Sequence, residues 1–137
     1  MSDNLDINEW IRYAQMDYDA AEKLAAFGET FMAVVCYHCQ QSAEKILKAY
    51  AIAQGEPLRK THDLRIVIEQ CLNHDSSFKT LSYACVALTE YATATRYPPE
   101  DEWITETEMT TALADAAAIL EFTKDRLTEL GHGAKPK

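Results

Sequence analysis

The sequence predicts an all-α protein, an up-and-down bundle of four to five helices, and three observations carry that expectation. The chain has 137 residues, room for one domain around one core. Four Gly and four Pro leave too little turn chemistry for a many-stranded β fold. Apolar residues also recur at helical spacing in five stretches, each bounded by capping or stop signals.

Taken in order, Asp6-Ile-Asn-Glu9 reads as a capping box, and Ile7, Trp10, Tyr13, Ala14, Asp17, Ala20, Ala21 and Leu24 keep the helical interval until Gly28. Thr30 can cap a second, longer helix from Phe31 to about Gln54, closed by Gly55 and Pro57. After the basic stretch Leu58-Arg-Lys-Thr61, Thr61 serves as N-cap and Asp63 falls in the first turn of a third helix ending near Asn73. Ser76 or Ser77 caps a fourth, carrying Phe78, Leu81, Tyr83, Ala84, Val86, Leu88 and Tyr91 and stopped by Pro98-Pro99. Thr105 to Glu108 has the spacing of another capping box, and an alanine-rich fifth helix runs to Leu130 before Gly131. Short connections favour antiparallel neighbours, with one shorter helix packed on four others. Residues 1–130 are expected to form a single domain and 131–137 a flexible tail.

Composition narrows the function classes. With 47% hydrophobic and 26% charged residues the balance is globular, against both a disordered tail and a membrane protein. No apolar run approaches the roughly 18 residues of a span. The start, Met1 to Asp6, has neither the basic nor the apolar part of a signal peptide, so a cytoplasmic location is expected. A net charge of −9 opposes coating of nucleic acid or anionic membrane by bulk attraction. The acidity, however, is concentrated at the two ends of the chain. Lys45, Lys48, Arg59, Lys60, Arg65 and Arg96 are therefore candidates for a local basic site on an acidic body, set against the alternative of a solvated mixed surface.

Cys36-x-x-Cys39 with Cys71-x-x-His74 has the ligand types of a zinc site. Yet Cys36 and Cys39 share a helical stripe with Met32, Val35, Ala43, Ile46 and Tyr50, where small buried hydrophobes belong. No metal and no cofactor are therefore assigned, and the four cysteines are expected to be reduced.

On the second helix His38, Gln41, Lys45 and Lys48 lie within about 80° of one another, nearly opposite that stripe. A solvated face held by the Glu44 to Lys48 pair is the plain reading of this ridge. Tyr37-His-Cys-Gln-Gln-Ser-Ala-Glu-Lys-Ile-Leu-Lys-Ala49, then Thr61-His-Asp-Leu64, then Arg96-Tyr-Pro98 together resemble the HEPN domain family (higher eukaryotes and prokaryotes nucleotide-binding). The resemblance covers nearly the whole chain. It implies a helical bundle, often a homodimer, frequently encoded beside a small nucleotidyltransferase of the MNT type. Exposed aromatics such as Trp10 and Trp103 would suit such a dimer.

Some HEPN families are metal-independent ribonucleases, typically toxins of toxin–antitoxin pairs, with Arg, four to six residues, then His. Forward from Arg96 the permitted positions hold Asp101, Glu102 and Trp103, so the catalytic pair is missing. The one formal match, Arg126 to His132, is a spacing that chance supplies readily in a chain this long. The first hypothesis is thus a non-catalytic module for a nucleotide or RNA phosphate, acting with an MNT-type partner, with His38, Lys45, Lys48, His62 and Arg96 as binding residues. On this reading a phosphate docks at the start of the third helix, unless Thr61 and Asp63 already satisfy its backbone donors. The alternative is a divergent ribonuclease using His38 or His62 as acid/base and Arg96 to stabilise phosphate charge. A purely structural assembly protein is the third.

Overall fold

A computed structural model of the chain describes residues 6–92 and 104–133. Those residues form five α-helices and no strand: α1 (Ile7–Ala25), α2 (Met32–Ala53), α3 (Leu64–Leu72), α4 (Ser82–Thr89) and α5 (Glu106–Glu129), with 3-10 segments at Gly28–Phe31 and Ser76–Leu81. The all-α bundle expected from the sequence is the observed fold. No helix among the described residues is long and apolar enough to cross a membrane.

The helix boundaries test the capping rules individually. At α5 the expected box is present in full: the Thr105 hydroxyl accepts from Glu108 N, and the Glu108 carboxylate accepts from Thr105 N. Gly55 and Gly131, at φ +91° and +94°, close α2 and α5 in the same way. The Gly55 and Glu56 amides donate to Ile52 and Ala51, and the Gly131 and His132 amides to Thr128 and Leu127. This doubled return requires a left-handed residue at the turn, which glycine adopts without a Cβ penalty. The chain then continues back to α1, where the Gly133 amide donates to Asn8 Oδ1. The expected loose tail is thus tied down as far as residue 133, and residues 134–137 lie outside the described part.

Other caps differ from expectation. Asp6 is the N-cap of α1 through its backbone carbonyl alone, because Glu9 turns outward to Arg12 at 2.8 Å. Thr30 caps nothing; it lies in the 3-10 turn, and α2 starts at Met32 without a side-chain cap. Asp63, not Thr61, caps α3, its carboxylate accepting from Arg65 N while Thr61 Oγ1 accepts from Asp63 N. An aspartate two residues nearer the helix reaches the first-turn donors that Thr61 cannot. Likewise Asp75 takes the role given to Ser76 or Ser77, accepting from Ser77 N. The long fourth helix is instead a 3-10 segment followed by α4, which ends at Thr89. The Pro98-Pro99 stop falls outside the described residues.

Helix α2 is the centre of the bundle and packs against each of the other four helices. From Cys39 to Ala51 every residue except Gln41 and Lys45 is buried. Small side chains at the α1 contact, Ala14, Ala21, Ser42 and Ala43, let the two backbones approach, and the Ser42 hydroxyl donates to Ala14 O at 2.8 Å. At the lower end, wholly buried Phe78 joins Tyr50 and Phe122 with ring centroids 4.6 and 5.1 Å apart. These contacts hold the 3-10 segment against α2 and α5. The cysteines lie in the core as buried thiols, and Cys71 Sγ donates to Leu47 O. Burial pushes the Cys39 and Cys85 thiols up to about 12 and raises that of Cys71 further.

Burial of Glu44 and Lys48 overturns the reading of their pair as part of a solvated ridge on α2. Lys48 is 6% exposed and its ammonium lies 2.7 Å from Glu44, itself 6% exposed. Removing one member of a buried pair leaves the other charge desolvated and alone. Lys48→Ala should therefore cost about 3 kcal/mol in urea unfolding, where an exposed lysine would cost under about 0.5 kcal/mol. Phe78→Ala should cost about 3 to 5 kcal/mol by the same measurement, since it empties the aromatic cluster.

Candidate functional site

The polar residues of α2 resolve into two carboxylate-centred groups on different sides of the helix. In the first, Asp17 of α1 accepts from His38 Nδ1 at 2.9 Å and from Lys45 Nζ at 2.6 Å. The three side chains are 15% to 27% exposed, so this is a half-buried clamp between α1 and α2. Asp17 sits in an otherwise apolar stripe of α1. An acid at that phase is the one sequence signal that could have announced a buried cationic partner.

The second group is built on Gln40, Glu44 and Lys48, successive at i, i+4 and i+8 and so stacked along one face. Glu44 Oε2 takes Lys48 at 2.7 Å; Oε1 takes Gln40 Nε2 at 3.0 Å and His62 Nδ1 at 2.9 Å. Gln40 Nε2 also donates to the His62 carbonyl at 3.1 Å. Both acceptors require the amide NH2, which fixes the Gln40 orientation and leaves its Oε1 buried without a partner. Burial acts to raise the Glu44 carboxyl, but the hydrogen bonds from Lys48, His62 and Gln40 outweigh it and hold the group below the usual carboxylate range. Glu44 is therefore an anion.

These bonds secure one end of the loop between α2 and α3. The other end is held by Glu56, which accepts from His74 Nε2 at 2.7 Å and more weakly from Asn73, and by Gln70, which donates to Pro57 O at 2.9 Å. Cys71-x-x-His74, half of the formal zinc pattern, is thereby divided between the core and a surface carboxylate. Among the described residues no group of three or more His, Cys, Asp or Glu is disposed to hold a metal.

Between the anchored ends the loop is exposed. Arg59 and Lys60 face solvent and have no ion-pair partner among the described residues, while the His62 side chain is 67% exposed. Arg65 is committed to Asp63, with two contacts at 2.9 and 2.8 Å. The start of α3 itself is closed to an anion. Leu64 N donates to Thr89 Oγ1, Arg65 N to the Asp63 carboxylate, and Ile66 N and Val67 N to Asp63 O.

Of the five residues singled out in the sequence, then, the structure brings Lys48 and His62 together through Glu44, and His38 and Lys45 through Asp17. The two pairs are held by different carboxylates, and Arg96 lies outside the described residues. Arg126 and His132 form no pair. The Arg126 guanidinium stacks on Phe122 at 4.4 Å beside Asp75 and Glu129, and His132 contributes its backbone to the end of α5. Glu44 and Gln40, which the sequence reading used only as a helix pair and not at all, organise the site.

Comparison with known proteins places the architecture. TT1696 from Thermus thermophilus has a crystal structure similar to this chain, with a TM-score of 0.74, 26% identity, and coverage of 87% of this chain and 96% of that one. ST0689, described as an archaeal HEPN homologue, shares the fold with a TM-score of 0.69 at 22% identity, covering 88% and 96% respectively. No curated protein matches the sequence. The model of the HEPN domain matches residues 7–127, the full helical bundle from the first turn of α1 to the last turns of α5, and the chain therefore belongs to the HEPN domain family.

Proposed function

We propose that this protein is a cytoplasmic, non-catalytic module that binds a phosphate-bearing ligand, a nucleotide or RNA, and acts as a homodimer with an MNT-type nucleotidyltransferase partner. The observation that carries the proposal is the loop Leu58–His62. Arg59 and Lys60 are its exposed cations, and His62, two residues further along the chain, is held by buried Glu44. The family resemblance pointed to a ridge of lysines on α2, but Lys45 and Lys48 are committed to Asp17 and Glu44. The phosphate contacts thus move to the loop, and Lys48 acts through Glu44. The partner nucleotidyltransferase rests on the family resemblance alone.

For the homodimer, the support in the structure is α4, whose Tyr83 is 93% exposed with Val86 half exposed on the same helix. Exposed apolar groups of this kind favour association. Trp10, expected to serve an interface, is packed against the core instead, and Trp103 lies outside the described residues. The ribonuclease alternative, the toxin of a toxin–antitoxin pair, draws on one observation of its own: a carboxylate-backed histidine with its outer nitrogen at the surface, the arrangement of a general base.

Three outcomes are expected. An oligouridylate should bind the protein, and the Arg59→Ala/Lys60→Ala pair should weaken it by about tenfold and reduce the slope of log K against log salt by about 1.4, from two lost phosphate contacts. Lys45→Ala should leave that affinity unchanged. Sedimentation equilibrium at tens of micromolar, a range typical of modest interfaces (about −6 to −8 kcal/mol), should give the mass of two chains, and Tyr83→Ser should lower it. Metal-free protein should leave RNA intact; cleavage lost on His62→Ala and kept on His132→Ala would establish the ribonuclease instead.

A further inference from the structure

A neutral imidazole carries one N–H, and an ionised carboxylate can only accept. Glu44 Oε1 lies 2.9 Å from His62 Nδ1, so that proton must sit on Nδ1. Gln40 holds the His62 backbone carbonyl with the same amide that grips Glu44, which sets the position of the residue beside the carboxylate. Lys48 in turn fixes the carboxylate from its other oxygen. The outer nitrogen, Nε2, has no partner among the described residues and belongs to a side chain two-thirds exposed.

We infer that Glu44 is a positioning residue that makes phosphate capture by His62 depend on a proton: by keeping Nδ1 protonated, it leaves Nε2 a bare lone pair when the ring is neutral and an N–H donor only when the ring is charged. This rests on the phosphate reading of the loop and deepens it. A neutral His62 turns a lone pair toward a phosphate oxygen, a repulsive contact. A charged His62 turns a charge-assisted donor toward it. The charged groups of the elements that meet at His62 are these. Helix α2 contributes Glu44 and, behind it, Lys48. The loop contributes Arg59 and Lys60, and the start of α3 the Asp63–Arg65 pair, which is closed on itself. Helix α4 offers the Thr89 hydroxyl, already bound to Leu64 N and Cys85 O. Within this group the proton on Nε2 decides whether the ring offers a lone pair or a donor.

The test uses 5′-hydroxyl oligouridylate, whose phosphodiesters and bases hold constant charge between about pH 5.5 and 8. Wild-type affinity should rise by about tenfold from about pH 8 to 5.5. In His62→Ala that rise should vanish, which separates it from any contribution of His38, His74 or His132. In Glu44→Gln the amide can donate to Nδ1 and release the ring to carry its neutral proton on Nε2, so affinity at the higher pH should rise and the pH dependence should shrink. Because Glu44→Gln strands Lys48 in the core, the Glu44→Gln/Lys48→Met pair provides the same test without a buried lone charge. Imidazole nitrogen NMR of the wild type at about pH 8 provides it without substitution, and should show Nδ1 protonated and Nε2 bare. Equal affinity at both pH values, or a neutral ring protonated on Nε2, overturns this inference and leaves the phosphate site standing. Absence of binding at both pH values overturns the phosphate site and this inference with it.

Discussion

The ion pair between Glu44 and Lys48 is the constraint around which the bundle is arranged. Taking a carboxylate and an ammonium out of water costs several kcal/mol each, and their attraction offsets this only when the remaining hydrogen-bonding capacity is also met. Lys48 satisfies one oxygen of Glu44; the other is satisfied from outside the pair by Gln40 and by His62, eighteen residues further on. The loop after α2 therefore cannot be placed independently of the core. It has to return across α2 to deliver an imidazole to a buried anion, and that return sets where α3 begins and which face it presents. The Asp17 clamp does the corresponding work on the α1 side, where one carboxylate holds His38 and Lys45.

The parts of this fold that were legible in the sequence are those governed by local chemistry. Thr105 and Glu108 can satisfy each other's donors within one turn, and Gly55 and Gly131 end helices because the chain there adopts a left-handed turn. Where two local candidates compete, spacing alone chooses poorly, as with Thr61 against Asp63 or Ser76 against Asp75. The ridge of α2 failed for a deeper reason. A polar stripe opposite an apolar one implies a solvated face only if the helix lies at the surface, and α2 is largely covered from Cys39 to Ala51. Its polar residues are satisfied by Asp17 and His62 from other parts of the chain, and no periodicity within α2 contains those partners. His62 was found by its motif, while Glu44, which gives it a defined chemistry, looked like half of an ordinary surface pair.

The position of the basic loop also makes sense of the overall charge. On a body of net charge −9, the exposed side chains of Arg59 and Lys60 form a local basic segment between two anchored ends.

The four buried thiols have a consequence of a different kind. Cys36 and Cys39 lie in α2, Cys71 in α3 and Cys85 in α4, while α1 and α5 have none. Cys39, Cys71 and Cys85 are held far from the reactive thiolate form, and each of the four thiols, shielded from solvent, meets an alkylating reagent only when its own helix opens. The chain therefore carries a built-in clock for internal motion. The rates at which the four sulfurs are labelled report how often the central helix and the α3–α4 side come apart, with the outer helices α1 and α5 contributing no signal of their own.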